Sequence, residues 1–257
     1  MSELTVIIFV QDSIVLSNYC NYNLSVILPT YSSSNFVLTG EASSRPSYLT
    51  EGLKQIAEKR PERPCLYQGR ITTVEKVWER VLRASTWLQR NGVEAGNIVL
   101  IALSVDHPDA QTIALAVTHA GATVSFLPPN ITLERFQRIM ERSSPACVFL
   151  DGGNADLRDG IDSVITVWMT PGYSQGNWND AELEEIFAER PAWGMPFPGK
   201  PDDGAFLVYD NSDRDEGEVW SHRSLINMMA SRNSGTRGMP SLPGLREEDL
   251  HTDLLQF

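Results

Sequence analysis

A chain of 257 residues that is 42% hydrophobic, 21% charged and 9% aromatic has the make-up of a globular protein of one large domain or two ordinary ones. This composition excludes a disordered, collagen-like or disulfide-stapled chain, and no apolar run approaches the roughly 18 residues that span a bilayer. With 33 acidic against 21 basic residues the net charge is −12, which repels nucleic-acid backbones and anionic lipid, so neither is an expected partner. Three scattered cysteines, Cys20, Cys65 and Cys147, offer neither zinc spacing nor an even disulfide framework. A reducing, cytoplasmic setting is expected. Met1-Ser2-Glu3 puts no positive charge ahead of the apolar run Leu4 to Val10, which makes a poor secretion signal.

Residues 1–44 contain no lysine or arginine and mix short β-prone runs with Ser/Asn-rich breaks such as Ser32-Ser33-Ser34-Asn35. They read as an N-terminal extension. Regular patterning begins at Ser47, and residues 45–232 read as one partial domain. Leu49, Leu53, Ile56 and Ala57 share a helical face that Pro61 ends. A strand over Pro64 to Gln68 leads to Thr72-Thr73-Val74-Glu75, read as a capping box. Val74, Val77, Trp78, Val81 and Leu88 follow at helical spacing, with Asn91-Gly92 as the left-handed stop. The apolar run Asn97 to Leu103 is long enough for a buried strand only. Asp106 with Pro108 starts a helix bearing Ala110, Ile113, Ala114 and Val117 and ending at Gly121, and Ala122 to Leu127 forms the next strand.

Leu133, Phe136, Ile139 and Met140 mark another helix, and Ala146 to Leu150 a strand ending in Asp151-Gly152-Gly153. Ser163 to Trp168 reads as a strand, and Asp180 as the cap of a helix with Leu183, Ile186 and Phe187 inward. Pro191 to Pro201 connects to strand Ala205 to Tyr209. After a charged loop, Ser221 caps a helix bearing Leu225, Ile226 and Met229. Residues 233–257 read as a flexible tail. Doubly apolar strands alternating with amphipathic helices predict an α/β fold, a parallel sheet with helices on both faces. Ligands in such folds sit at the carboxyl ends of the strands. The candidate loops are therefore Ser104 to His107, Pro128 to Thr132, Asp151 to Gly153 and Asp210 to Trp220.

The chain has no G-x-G-x-x-G, G-x-x-x-x-G-K-[ST], G-x-S-x-G or H-E-x-x-H pattern. His119, near the helix end at Gly121, reads as a helix-dipole partner. Ser221 and His222 are adjacent, but helix neighbours point about 100° apart and no acidic orienter is specified, so capping outweighs a nucleophile–base pair. The alternation Asn211, Asp213, Asp215 resembles a calcium loop only superficially. Its glycine falls one place late and His222 stands where the bidentate glutamate belongs, so no metal site is expected.

Ala205-Phe206-Leu207-Val208-Tyr209, a loop, then Gly217-Glu218-Val219-Trp220-Ser221-His222-Arg223-Ser224-Leu225 resembles the adenylate-forming, AMP-binding enzymes: acyl-CoA synthetases, adenylation domains and luciferases. Arg60-Pro61-Glu62-Arg63-Pro64-Cys65-Leu66, Trp87 through Val99 and His119-Ala120-Gly121-Ala122 are similar to the same family in the same order. The resemblance runs from about Ser47 to Met229 and implies the incomplete N-terminal part of an acyl-CoA synthetase-like fold. It implies activation of a carboxylic acid with ATP and Mg²⁺, and transfer of the acyl group to CoA or a carrier thiol. The degenerate phosphate loop, with Asp210, Asn211, Ser212, Asp213 and Gly217, is its nucleotide-binding segment.

This loop departs from the family. It reads Asp210-Asn211-Ser212-Asp213-Arg214-Asp215-Glu216-Gly217, is shorter than its counterparts, and has Glu216 where the family has a lysine. Asp202, Asp203, Asp210, Asp213, Asp215, Glu216 and Glu218 surround Arg214 alone. The family's remaining motifs would follow the Ser-His helix, so the chain is expected to be truncated and inactive alone. A non-catalytic remnant acting as a binding or scaffold module is the alternative. A protein partner is expected over an exposed face to which Leu225, Ile226, Met228 and Met229 contribute.

Overall fold

The computed structural model describes residues 47–67, 70–103, 107, 109–128, 131–174, 179–194, 197–209 and 217–233. The extension over residues 1–44 and the tail from residue 234 onward lie outside these residues. Helix α1 (Glu51–Lys59) precedes an antiparallel hairpin of β1 (Pro64–Tyr67) and β2 (Arg70–Thr73). A mostly parallel seven-stranded sheet then forms from β3 (Ile98–Ala102), β4 (Thr123–Phe126), β5 (Cys147–Leu150), β6 (Ile165–Trp168), β7 (Asp180–Glu182), β8 (Gly204–Tyr209) and β9 (Gly217–Ser221). Its order is β7-β6-β5-β3-β4-β8-β9, and only the β8–β9 pair is antiparallel. The helices are α2 (Val74–Arg90), α3 (Ala110–His119), α4 (Leu133–Ser143), α5 (Leu183–Ala188) and α6 (His222–Asn233), with a 3-10 segment over Gly152–Gly160.

The parallel pairs need crossovers, and crossovers are right-handed. The connection from β3 to β4 runs one way along the sheet and that from β4 to β5 returns past β3. Helices α3 and α4 therefore fall on opposite faces. The register puts Val99, Ile101, Val124, Phe126, Cys147, Phe149 and Val167 on one face, in a core shared with α1, α2, α3, α5 and α6. Leu100, Ala102, Val148, Leu150 and Trp168 occupy the other face, with Phe136 and Ile139 of α4 and Leu157 of the 3-10 segment. Two-sided burial is why these strands read as continuous apolar runs.

Helices α2 and α3 stop by the same device. After α2, the Gly92 N–H bonds the Gln89 carbonyl and the Val93 N–H the Leu88 carbonyl. After α3, the Gly121 N–H bonds Thr118 and the Ala122 N–H bonds Val117. Gly92 (φ 86°) and Gly121 (φ 83°) supply the left-handed residue that this arrangement requires.

Four readings change. Residues Arg70–Thr73, left between a strand and a helix, are strand β2, and the cap of α2 is Thr73, whose hydroxyl accepts the Lys76 N–H at 3.4 Å. Lys76 takes the place a capping box gives to glutamate, so no box forms. Asp180 does not cap α5: it lies in β7, and its carboxylate receives Arg158 at 3.0 Å. Glu182 caps α5, in a reciprocal box with Glu185. Residues 217–221 are the antiparallel edge strand β9 rather than loop.

A Cβ on Gly121 would meet Pro198 Cγ at 2.9 Å and Ala95 Cβ at 3.1 Å, in addition to its left-handed backbone. Gly121→Ala should therefore lower stability by about 1–3 kcal/mol, read from urea unfolding midpoints, whereas Gly92→Ala, with open space around it, should lose only the backbone part of that amount.

Candidate functional site

The carboxyl ends of β3, β4, β5 and β8 lie along one edge of the sheet, where such folds bind ligands. Several loops at that edge are committed to structure. Asp151 is buried, and its Oδ1 accepts the Asn154 N–H at 3.1 Å, capping the 3-10 segment. The Gly152 N–H donates to Thr170 Oγ1, and a Cβ there would lie 2.5 Å from the Tyr173 ring. Thr132 accepts the Arg135 N–H and caps α4. The His107 ring accepts the Asp109 N–H at 3.2 Å, and Asp109 pairs with Arg80 at 2.6 Å.

The remaining loop joins β8 to β9. Asp210, Asn211, Ser212 and Asp213, together with Arg214, Asp215 and Glu216, lie outside the described residues. Its anchors are described. Tyr209 pairs with Gly217, Val208 with Glu218 and Leu207 with Val219, so residues 210–216 connect the two strands of an antiparallel hairpin. Gly217 lies close against the side chains of β8. A Cβ at this position would meet Leu207 Cδ1 at 2.4 Å and Tyr209 Cε1 at 3.1 Å. Glu218 is exposed beside it, and Arg223 at the start of α6 is held by Asp202 at 2.8 Å. Among the described residues no group of three or more His, Cys, Asp or Glu side chains could hold a metal ion.

The adjacent Ser221 and His222 act apart. Ser221 Oγ accepts the Ser224 N–H at 3.2 Å and caps α6. The His222 ring turns inward, fully buried, and its Nδ1 accepts the Leu49 N–H at 3.3 Å. That bond places the proton of the neutral ring on Nε2, which is buried without a partner among the described residues. The Phe197 ring meets the His222 ring edge-on at 5.0 Å and stacks on Tyr48 at 4.2 Å.

His119, read from sequence as a charged partner of the helix dipole, is instead a buried neutral ring. It bonds Thr50 Oγ1 through Nδ1 at 3.1 Å and meets Trp78 edge-on at 4.8 Å. Burial pushes His119 down from 6.5 to about 4, and the Lys54 charge acts in the same direction. Burial also pushes His222 down to about 4, against the opposing pull of Asp203. No sequence motif signals this pair, because the bonds to Thr50 and Leu49 join residues 69 and 173 positions apart.

The exposed face expected around α6 is not built from Leu225 and Ile226. Leu225 is buried and Ile226 is half-buried against the core. The exposed large hydrophobic side chains among the described residues are Tyr173, Trp193 and Val219. No described helix is long and apolar enough to cross a membrane.

The sequence profile of the AMP-binding enzyme family matches residues 53–209, from within α1 to the end of β8. The chain belongs to that family. AMP-binding enzymes of known structure share its fold. The fatty acyl CoA synthetase of Mycobacterium tuberculosis superposes with a TM-score of 0.61 at 17% identity, over 73% of this chain and 37% of its own. The luciferase-like enzyme of the nonluminescent mealworm Zophobas morio gives 0.60 at 18% identity, over 75% and 47%. A benzoate CoA ligase from Burkholderia xenovorans LB400 gives 0.58 at 18% identity, over 72% and 36%. The chain thus spans under half the length of these AMP-binding relatives. A search of curated proteins found no match.

Both histidines bind fewer protons folded than unfolded below their ordinary value of 6.5, so their contribution to stability is complete above that pH and is lost as the pH falls through about 4. At about pH 5 each should cost on the order of 2 kcal/mol relative to pH 7. Denaturant midpoints measured across this range should fall accordingly, and a flat profile would show that the rings are not buried neutral.

Proposed function

We propose that this member of the AMP-binding family no longer holds ATP in its nucleotide loop, and that by itself it works as a non-catalytic binding module. The family's reaction, activation of a carboxylic acid with ATP and transfer of the acyl group to CoA or a carrier thiol, is the chemistry from which its fold derives. The observation that carries this reading is the composition of the β8–β9 connection. A phosphate-holding loop needs free N–H groups, small hydroxyls and a cation. Residues 210–216 offer Asp210, Asp213, Asp215 and Glu216 against Arg214.

Each carboxylate within a few ångströms of a phosphate opposes it by roughly 1–4 kcal/mol, depending on the local dielectric, and one arginine offsets one such contribution. Glu218, exposed on β9 next to the loop, adds to the repulsion. These residues do not fit a nucleotide triphosphate with its Mg²⁺. The carboxylates could recruit a divalent ion, but they would compete with the phosphates for it rather than bind them.

Calorimetric titration of the chain with Mg²⁺-ATP should give no saturable heat at a Kd tighter than about 1 mM. Acid-dependent exchange of pyrophosphate into ATP should stay at the no-enzyme background. Saturable binding together with exchange would overturn the reading. A second outcome follows from counting charges. Glu216→Lys should not restore exchange, because Asp210, Asp213 and Asp215 remain in the loop. Recovery from that substitution alone would mean that one position, not the loop's overall charge, decides nucleotide binding.

A further inference from the structure

The Tyr48–Thr50 turn, which leads into α1, is held by residues from three distant elements. Leu49 donates its N–H to His222 at the start of α6, and the Thr50 hydroxyl meets His119 at the end of α3. The Tyr48 ring lies on Phe197, which in turn packs on His222. Leu49, Thr50, His119 and His222 are all buried. We propose that this turn is an acid-released strap: when the His222 ring gains a proton, the turn and helix α1 detach from the domain while the sheet stays folded.

The argument is one of donors and acceptors. Nδ1 of neutral His222 is the acceptor that satisfies the Leu49 N–H. A protonated imidazole has two donors and no acceptor, so the Leu49 N–H would face another N–H across a buried contact. The second donor, Nε2–H, has no partner among the described residues. Neither can turn to water, because the ring is fully buried. At His119 the consequence is softer, since the Thr50 hydroxyl can rotate and accept instead.

Charges on the neighbouring elements do not cancel the effect. Asp203, on the turn before β8, favours the charged form of His222, but its Oδ2 already receives the Lys200 N–H at 2.7 Å. Arg223, next to His222, is paired with Asp202 at 2.8 Å. On α1, Lys54 opposes protonation of His119, and Glu51 and Glu58 act on Tyr48. The element that yields is α1 rather than α6. Helix α1 has nine residues and buries Gly52, Leu53 and Ala57, whereas α6 continues directly from β9 of the main sheet.

Amide hydrogen exchange on the whole chain tests this, with rates corrected for the intrinsic effect of pH. Between about pH 7 and pH 5, protection over 49–57 should fall at least ~10-fold more than protection over Val99–Ala102 of β3. Parallel loss in both segments, or loss over α6 instead of α1, would overturn the strap. His222→Asn, which can present an amide oxygen near the Nδ1 position and does not titrate, should keep α1 protected at both pH values. Release of α1 in that variant at low pH would equally overturn it. Should the variant fail to fold, the wild-type chain still decides the matter. Long-range nitrogen–proton NMR at neutral pH should find the His222 proton on Nε2, and a proton on Nδ1 would refute the proposal.

Discussion

Strand β3 has no face to give to water, because β4 and β5 flank it and helices lie above and below. Its five residues, Ile98–Ala102, must therefore be apolar on both sides, and Val99, Leu100 and Ile101 are fully buried. Much else follows from seating this strand. Covering both its faces requires α3 on one and α4 on the other, so the chain must leave β3 in one direction and cross back past it. Because these strands are parallel, the loops after β3, β4, β5 and β8 leave the sheet at a common edge.

The same burial explains which elements could be read from sequence. Strands β3, β4 and β5 are short apolar runs bounded by turns, and helices α2 and α4 carry apolar residues at helical spacing with threonine caps. Strands β2, β7 and β9 carry much weaker signals. Arg70-Ile71-Thr72-Thr73, Asp180-Ala181-Glu182 and Gly217-Glu218-Val219 mix polar and apolar residues, since β7 and β9 close the two ends of the main sheet and β2 belongs to a separate hairpin. An aspartate ahead of an apolar helix looks like a cap in sequence, whereas Asp180 pairs with Thr166 in the sheet and its carboxylate accepts from Arg158 and Trp168. The composition of the β8–β9 connection was fully legible. The roles of His119 and His222 were not, because they depend on contacts with residues far along the chain.

The two histidines show how position can make an ionisable group behave as an apolar one. Each ring spends one nitrogen on a residue of the Leu49–Thr50 pair and sits against an aromatic ring, Trp78 for His119 and Phe197 for His222. In that role they work as buried spacers with one directed hydrogen bond. They join the first described turn to the ends of elements built much later in the chain, which closes the packed face beneath α1 and α2.

The β8–β9 hairpin is held in register by its strands, from Gly204↔Ser221 through Tyr209↔Gly217, with Gly217 close against the Leu207 and Tyr209 side chains. All of this described pairing and packing is made by residues on either side of 210–216. The charge of that segment is decoupled from the architecture beneath it, much as the lettering on a key's head is independent of the cut of its blade. The register of such a hairpin is set by its strands, and the charge carried between them is a separate property of the sequence.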